Sequence, residues 1–573
     1  MPFATEMPRS VMQLTLSERT SLARLAVDRA RRSALARVLG SPLMRWRYGA
    51  PVAEELVIVP QDIRTADPSF ARELERGYLG LAGQVADLDR RSPFDVEAPS
   101  AAWLSELHGF SWLRHLAADE RTRRMAVSLV SAWIKRGHAG ETAWQPHVLA
   151  RRLISWLSHA PMLLDEADPR RYDRIMDSLA HQLVRLSASW RHARCGPPRL
   201  VALMALIYGD LCVAGRESYL AEKEALLAAE LAAQILPDGG HVSRNAGVLV
   251  ELLLDLLPLR QCFLARGREV PAAIDAASRR MMAMLRFMRL GDGSLGRFNG
   301  MGAAASEALA TILAYGPETP AEHEAPHSRY VRLERGGLVV LADAGPPPPL
   351  EHAGEAHAGC LSFEMSAGSD ALFVNRGAPG PADQGWRAAS RATASHNTAC
   401  VGAKSSSRLV RHGLLERLIG AAPIRLPERV TDTLERTPQG DVLTMSHDGY
   451  LAEFGLIHRR RLRLAADGGA LEGHDSLGPP SGRLRLKQDV PFSIHFHLAP
   501  DARCVWDTGE PRAEIVLPGG GRWRFSAEGA HLSLEESVHF ADRAGPRQAL
   551  QIVLRGACCG ETLVLWRLER VRA

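Results

Sequence analysis

Two patterns of hydrophobic and polar positions divide the chain near residue 325. Before that point, apolar residues recur at helical spacing, and short breaks carrying Gly, Pro or Asp separate the segments. The segments are SWLRHLAADERTRRMAVSLVSAWIKRG, HVLARRLISWLSHAPMLL, RYDRIMDSLAHQLVRLSASW, LVALMALIYGDLCVAG, ESYLAEKEALLAAELAAQIL and AIDAASRRMMAMLRFMRL. A succession of such helices with short loops predicts a bundle, a solenoid or a closed (α/α) toroid.

After residue 325 the pattern changes to short runs in which apolar and polar residues alternate. Examples are YVRLERGGLVVLADAG, LIHRRRLRLAADGGALEGHDSL, FSIHFHLAP and AEIVLPGGGRWRFSAEG, with turn residues at regular intervals. This pattern predicts an antiparallel β domain. We place a basic helical extension at 1–50, a helical domain at 51–325 and a β domain at 326–573, with GPETPAEHEAPHSR as the linker between the last two.

Composition excludes several classes of protein. The 573 residues are 46% hydrophobic and 24% charged, as in ordinary globular proteins, and a net charge of +5 over this length gives no indication of nucleic-acid binding. The eight cysteines form no C-x-x-C pair, which favours a reduced compartment. We expect a cytoplasmic protein because the N-terminus lacks an apolar signal region, and we leave a periplasmic location and a homodimer open.

No run of residues approaches membrane-spanning length, so we expect no stable insertion into a membrane. The segment RTSLARLAVDRARRSALARVL has two interpretations. It could be a basic amphipathic helix that touches a membrane surface, although such a segment is more often a solvated, arginine-rich helix.

Candidate chemistry begins with the turn LPDGGHVSRNAG. The Asp-Gly-Gly turn presents His241, Ser243, Arg244 and Asn245 just before a long apolar segment. Ser243 or Asn245 could cap the following helix, or the turn could line a binding cleft.

Histidines recur in the β half. They occur in HAGEAHAGCLSFE, ATASHNTACVG, SHDGYLAEFGLIHRRR and SIHFHLAP. A single histidine that alternates with apolar residues usually indicates a strand with one solvent-exposed face and one buried face. Recurrence across separate strands favours a functional cluster.

Four blocks of sequence resemble the heparinase II/III-like polysaccharide lyases. HAGCLSFEMSAGSDALFVNRG (357–377) is similar to that family's H-A-D-x-L-S-F block followed by D-x-G, and RATASHNTACVG (391–402) is similar to its T-A-x-H-N-T strand. HDGY followed by HRRRLRL is the third block, and ILPDGGHVSRN stands where the family has a DG turn. The resemblance implies an α+β multidomain fold, with an N-terminal (α/α) toroid followed by a C-terminal antiparallel β-sandwich.

The resemblance also implies a reaction. These lyases cleave uronic-acid-containing polysaccharides by β-elimination, which requires a base for C5–H, an acid for the leaving O4 and groups that neutralise the carboxylate. An acidic polysaccharide or oligosaccharide is then the expected partner, with no cofactor required. The residues that the resemblance assigns to catalysis are His396, Tyr450, His357, Arg244 and Asn245. We also predict substrate binding by four residues, of which Asn299 lies in a candidate cleft loop, GDGSLGRFNG: His241, Asn397, Asn299 and Trp386.

The chain departs from the family pattern at several positions. The family's Tyr-His pair falls on Val248 and Leu249, and its Asn-His element on Pro197 and Pro198. The acidic residue of H-A-D is Gly359, and the acid of D-x-G is Asn375. A structural zinc, held in some relatives by matching His, Asp and His, would here need His357, Asn375 and His396. We do not expect this zinc, because neutral Asn is a poorer ligand than Asp.

Three functions therefore remain open. The first is a lyase that acts on a uronic-acid glycan with a variant site. The second is a non-catalytic saccharide-binding or envelope-biogenesis protein that keeps the fold without the base. The third is a glycoside hydrolase, which needs two carboxylates across a cleft and for which Glu106, Asp255 and Asp292 are candidates.

Overall fold

A computed structural model of the chain describes residues 16–40, 55–137, 140–303, 306–316, 324–409, 423–480, 488–506 and 511–571. The predicted extension at 1–50 contains one described helix, α1, at Leu16–Gly40, and the rest of the extension lies outside the described residues. No helix in the described ranges is long and apolar enough to cross a membrane. All eight cysteines lie in these ranges, and each is a free thiol.

The helical prediction for the first half is confirmed. The helices after α1 are α2 Phe70–Glu75, α3 Ala101–Gly109, α4 Glu120–Arg136, α5 Pro146–Ser158, α6 Ala160–Leu164, α7 Pro169–Ser189, α8 Pro197–Cys212, α9 Leu220–Gln234, α10 Ala246–Ala265, α11 Ala272–Phe287 and α12 Ser306–Ala314. Side-chain oxygens of Ser100, Asp119, Asp168 and Asn245 cap α3, α4, α7 and α10.

The helices form two layers. In the inner layer α3 packs on α5, α5 on α8, α8 on α10, and α10 on α12. In the outer layer α7 packs against α5 and α8, α9 packs against α8, and α11 packs against α10. Helix α8 lies between neighbours on both sides, and its residues from Leu200 to Cys212 are all buried. A helix that is apolar on every face is expected in such an interior position.

One feature of this half lies outside the predicted pattern. Strands β1 (Tyr78–Leu81) and β2 (Gln84–Asp87) form an antiparallel hairpin before α3. Its turn residues Ala82 and Gly83 have φ of 49° and 72°, as two-residue hairpin turns require.

The antiparallel β prediction for the second half is confirmed. The strands are β3 Glu324–Ala325, β4 Tyr330–Arg335, β5 Leu338–Asp343, β6 Phe363–Ala367, β7 Asp370–Phe373, β8 Ala399–Val401, β9 Arg408–Leu409, β10 Pro423–Arg425, β11 Val430–Thr437, β12 Gly440–His447, β13 Ile457–Ala465, β14 Ala470–Gly478, β15 Val490–His497, β16 Arg503–Trp506, β17 Arg512–Val516, β18 Arg522–Glu528, β19 His531–His539, β20 Arg547–Cys558 and β21 Thr562–Arg570. Two short helices, α13 Arg387–Ser390 and α14 Leu451–Phe454, interrupt them.

Three sheets surround one apolar core. The strand orders are β11-β12-β13-β14-β21-β18-β17-β16, β19-β20-β15-β8 and β3-β4-β5-β6-β7. Aromatic rings from different sheets meet in the core; Phe363 stacks on Trp566 with ring centroids 5.8 Å apart. Sheet faces that pack on one another in this way make the sandwich.

Candidate functional site

The Asp-Gly-Gly turn joins the helical half to the β half. Asp238 accepts hydrogen bonds from the backbone N–H groups of His327 (2.9 Å) and Ser328 (2.6 Å) and from the Ser328 hydroxyl (2.8 Å). Gly239 has a φ of 89°, and a Cβ there would lie 1.9 Å from the backbone oxygen of Arg280. Only glycine fits this position, so the turn is fixed at the junction of the two halves.

The polar residues after the turn are occupied by protein partners. The Arg244 guanidinium donates to the carbonyl oxygens of Ser328, Arg329 and Pro346 and to the Asp343 carboxylate, 2.6 Å away. Although burial lowers the pKa of Arg244, Asp343 and Tyr330 together outweigh burial and raise it. A uronate carboxylate could reach Arg244 only by displacing Asp343, so its catalytic assignment stays a prediction.

His241 and Asn299 are also buried in this region. His241 contacts the Ser243 hydroxyl at 2.7 Å and the Gln234 amide oxygen at 3.2 Å, and burial lowers its pKa to about 3. The Asn299 amide donates to the Tyr330 hydroxyl at 3.0 Å. Both substrate-binding assignments remain untested predictions.

Asn245 has both of the properties considered for it from the sequence. Its side-chain oxygen accepts a hydrogen bond from the backbone N–H of Gly247 at 2.8 Å and caps α10. The residue also lines a cavity, described below. Capping and a position at the cavity are therefore compatible.

In the β half, His357 and His396 are in direct contact. His357 Nδ1 lies 3.0 Å from His396 Nε2, and His396 Nδ1 lies 2.8 Å from the carbonyl oxygen of Ala392. A carbonyl only accepts, so His396 Nδ1 carries the proton, His396 Nε2 accepts, and His357 Nδ1 donates to it. Burial lowers the pKa of both rings, that of His396 to about 4, so both are neutral at pH 7.

This arrangement does not fit a zinc ion. The His357 and His396 nitrogens that face each other are hydrogen bonded, and the Asn375 amide is used on both sides, by the backbone N–H of Asn397 and the carbonyl of Arg297. No group of three or more His, Cys, Asp or Glu side chains suited to a metal occurs in the described ranges.

The other predicted residues of the β half have separate protein partners. Asn397 is fully buried and bridges the carbonyl of Phe363 and the N–H of His497. The Tyr450 hydroxyl donates to the carbonyl of Ala399 at 2.8 Å in the sandwich core, where burial raises its pKa. Trp386 is 45% exposed, with its ring 5.5 Å from that of Phe540.

Two adjoining cavities lie along the inner helices. The first, of about 420 Å³, we call the polar chamber; it is lined mainly by polar side chains, including Arg64, Glu106, Ser111, Arg114, Ser158 and Asp255. The second, of about 490 Å³, we call the apolar mouth; it is lined by Pro197, Pro198, Val201, Val248, Met301 and Ala303, with Asn245 beside them. His147, Arg151, Glu251 and Ala308 line both cavities, so the chamber and the mouth adjoin.

Charged pairs shape the chamber. Asp255 accepts from Arg64 Nη1 at 2.8 Å and from Arg151 Nη1 at 2.5 Å. Burial raises the pKa of Asp255, but Arg151 and Arg64 outweigh burial and lower it below the ordinary value. Burial raises the pKa of Glu106, and burial lowers that of His147 to about 4.

These side chains reach the chamber from different elements. Arg64 comes from the segment before α2, Glu106 from α3, Arg151 from α5 and Asp255 from α10. Nothing in the local sequence distinguishes Arg114 or Arg151 from the many solvated arginines of the helical half. Of the three carboxylates considered for a hydrolase, Glu106 and Asp255 line the chamber, while Asp292 accepts from Ser294 in an exposed turn.

Comparisons with known proteins agree with this fold. A model of the heparinase II/III-like C-terminal domain matches residues 317–566. FtsZ-localized protein C of Caulobacter vibrioides (strain NA1000 / CB15N) is 31% identical over 544 residues, which cover 93% of each chain. The chain belongs to the heparinase II/III-like family.

Solved structures of lyases in this heparinase group share the whole architecture. Heparinase III gives a TM-score of 0.63 at 12% identity and covers 99% of this chain and 86% of its own. Heparan sulfate lyase HepC from Pedobacter heparinus gives 0.57 at 15% identity and covers 98% and 92%. At these identities the likeness shows the fold, and the chemistry depends on the residues of this chain.

Proposed function

We propose that this heparinase II/III-like protein is a non-catalytic member of its family that binds an acidic glycan. By analogy with its relative FtsZ-localized protein C, we propose that it localizes with FtsZ. The function would then be saccharide binding in envelope biogenesis, with the fold retained as a binding scaffold.

The observation that carries this proposal is the chemistry of the mouth. Pro197, Pro198 and Val248, which stand where the family has Asn, His and Tyr, all line it. None of these side chains can take or give a proton. Tyr208, which lines the chamber, donates its hydroxyl to the carbonyl of Asp255 at 2.6 Å, and burial raises its pKa. A tyrosine held in this way is a poor base.

The test is to incubate the full-length protein with a panel of uronate-containing polymers. Calorimetry would measure binding, and ultraviolet absorbance would report the unsaturated product of β-elimination. We expect binding without product. Absorbance that grows with time would refute the non-catalytic function, and new reducing ends without absorbance would indicate hydrolysis.

Localisation is a separate measurement. A fluorescent fusion of the chain should follow FtsZ in cells and disperse when FtsZ is depleted. A fusion that keeps its position after depletion would contradict this part of the proposal without affecting glycan binding.

A uronate lyase is the second candidate, and the His357–His396 pair favours it. His357 donates through Nδ1, so its Nε2 carries a lone pair, and this atom has no hydrogen-bond partner within the described ranges. The Ala392 carbonyl and His396 would hold His357 in the tautomer that a base for C5–H needs. The residue is 4% exposed, so a substrate would need a local opening to reach it.

The lyase candidate has its own test. If product forms, His396→Ala should abolish it, because His396 fixes the tautomer of His357. Val505→Ala, at an exposed position of the β domain outside the predicted site, is the control and should keep full activity. Full activity in His396→Ala would exclude this histidine pair as the catalytic group.

A further inference from the structure

We propose that the polar chamber and the apolar mouth together bind one amphiphile, with an acidic sugar head in the chamber and an aliphatic chain in the mouth. This inference rests on the proposed binding of acidic saccharides and names the kind of ligand that the site takes. The four lining residues that the two cavities share place them side by side, within reach of the two ends of one ligand.

The chamber offers the groups that an acidic sugar needs. Arg114 donates through Nε to Asp62 at 3.0 Å, and its two terminal nitrogens have no partner within the described ranges. Among the residues that the structure describes, Arg151 binds only Asp255, through Nη1. Guanidinium groups held at one end by a carboxylate, with N–H groups left over, suit a sugar carboxylate.

Hydroxyl-binding groups complete the chamber. One oxygen of Glu106 accepts from the backbone N–H of Ala82 at 2.7 Å, and the other has no partner in the described part of the chain. Ser111 and Ser158 add hydroxyls to the lining. The volume of about 420 Å³ is within the range of small-ligand sites, roughly 300–1,000 Å³.

The attraction of the chamber for an anion is local to its guanidinium groups, because its three arginines are outnumbered by four carboxylates, those of Asp62, Glu106, Glu251 and Asp255. Burial, and then the neighbouring Arg64, lower the pKa of Arg114, whereas Asp62 acts in the opposite direction. The carboxylates of Asp62 and Asp255 are already paired with arginines. An incoming carboxylate would relieve the repulsion between the guanidinium groups.

The mouth, in contrast, offers few partners to a sugar chain apart from His147, Arg151 and Glu251, which it shares with the chamber. Two prolines without N–H groups and the side chains of Val201, Val248 and Met301 line it. Asn245 stands beside them, but its oxygen already caps α10. Sugar hydroxyls placed there would lose water without gaining partners, which costs about 1–3 kcal/mol for each group. An aliphatic chain gains free energy from the same contact.

The experiment measures how affinity depends on chain length. Calorimetry on the full-length protein would compare D-glucuronic acid with methyl, butyl and octyl β-D-glucuronide. Octyl β-D-glucoside would be the uncharged control, and all compounds would be kept below micelle-forming concentration. Burial of four methylene groups in the mouth predicts octyl glucuronide binding on the order of 100-fold tighter than methyl glucuronide. Octyl glucoside, which lacks the carboxylate, should bind at least about tenfold more weakly than octyl glucuronide.

Variants assign the two halves of the ligand to the two cavities. Val248→Asp should remove the chain-length effect and leave the affinity for glucuronic acid unchanged. Arg114→Gln should weaken both glucuronides about tenfold or more and leave octyl glucoside unchanged. Val505→Asp and Arg522→Gln, at exposed positions of the β domain, are matched controls that should change neither.

The outcomes are distinct. Equal affinity for methyl and octyl glucuronide, with acidic oligosaccharides still bound, would overturn the amphiphile and leave the proposed function intact. Tight binding of an acidic peptide in place of octyl glucuronide would overturn it in favour of a protein ligand. Absence of binding by every glucuronide would overturn it as well, and if acidic polymers also fail to bind, the proposed function fails with it. The chain-length series uses the unmodified protein, so the result stands even if Val248→Asp does not fold.

Discussion

Asp475 provides the sharpest test of how the β domain is held together. Its carboxylate accepts from Arg460 Nε at 2.7 Å and Nη2 at 3.0 Å, from His458 Nε2 at 2.7 Å and from Trp566 Nε1 at 2.8 Å. Arg460 and Asp475 are both essentially inaccessible to water. Arg460 Nη1 continues the network to the carbonyl oxygens of Leu361 and Asn397, next to the histidine pair.

Asp475→Asn should therefore be strongly destabilising. The change leaves the buried Arg460 charge without a counter-ion and turns an N–H₂ group toward donors, which costs about 3–5 kcal/mol. For a domain of this size, 1 kcal/mol lowers the melting temperature by about 2–4 °C, so the expected decrease is about 6–20 °C. The free energy is large because water cannot reach Arg460 in place of the lost carboxylate.

The measurement is thermal and urea unfolding of the β domain, followed by tryptophan fluorescence, in which Trp566 is a local reporter. Glu472→Gln on the same strand is the matched control, because Glu472 pairs with Arg463 and Arg567 at the surface. Such a surface pair contributes about 0–1 kcal/mol. If Asp475→Asn lowers the midpoint no more than Glu472→Gln does, the network does not stabilise the domain as described.

A double substitution checks the cause. Arg460→Met with Asp475→Leu removes both charges and should be less damaging than Asp475→Leu alone, since no buried charge remains unpaired. His458 and Trp566 lack an acceptor in both variants, which costs about 1–3 kcal/mol for each, so this loss cancels in the comparison. A double variant that is less stable than Asp475→Leu would show that packing, and not charge, dominates.

Three further changes test other parts of the molecule. Asn245→Ala removes the cap of α10 and should cost about 1 kcal/mol, seen as a lower melting temperature of the helical domain, whereas Asn245→Asp should retain the cap. Gly239→Ala should destabilise the junction far more than Gly77→Ala. Both glycines have φ near 90°, but only at position 239 would the added Cβ clash with a backbone oxygen. Equal decreases in the unfolding midpoint would contradict this contact. Lowering the pH from 6.5 to about 4 should reduce the free energy of unfolding through His396, because the ring binds a proton below pH 6.5 in the unfolded chain but only below about pH 4 in the folded protein. The expected slope is about 1.4 kcal/mol per pH unit. A pH titration of the melting temperature should lack this contribution in His396→Gln.

Local patterns predicted the elements of the fold and one contact of the site. The capping role of Asn245 follows from a polar residue before an apolar helical run, and no distant residue is needed to form it. The antiparallel strands follow in the same way from alternation between turns. The β1–β2 hairpin was not predicted because it lies among helices and consists of only two four-residue strands.

The chamber could not be predicted, because its geometry depends on long-range contacts. Arg64 and Asp255 are 191 positions apart in sequence, and Arg151 and Asp255 are 104 apart. Each is an ordinary charged residue in its own segment, and only the packing of the inner helices brings them to one cavity. The burial of Arg244 has a similar origin, since Asp343 is 99 positions away on β5.

The departures from the family pattern acquire a different meaning once they are placed in space. From the sequence, Pro197, Pro198 and Val248 are separate losses of catalytic residues. In the structure all three line the apolar mouth, together with Val201 and Met301. The same cavity is also lined by His147, Arg151 and Glu251, which it shares with the chamber. The apolar replacements suit an apolar group, while the arginines of the adjoining chamber suit an acidic one.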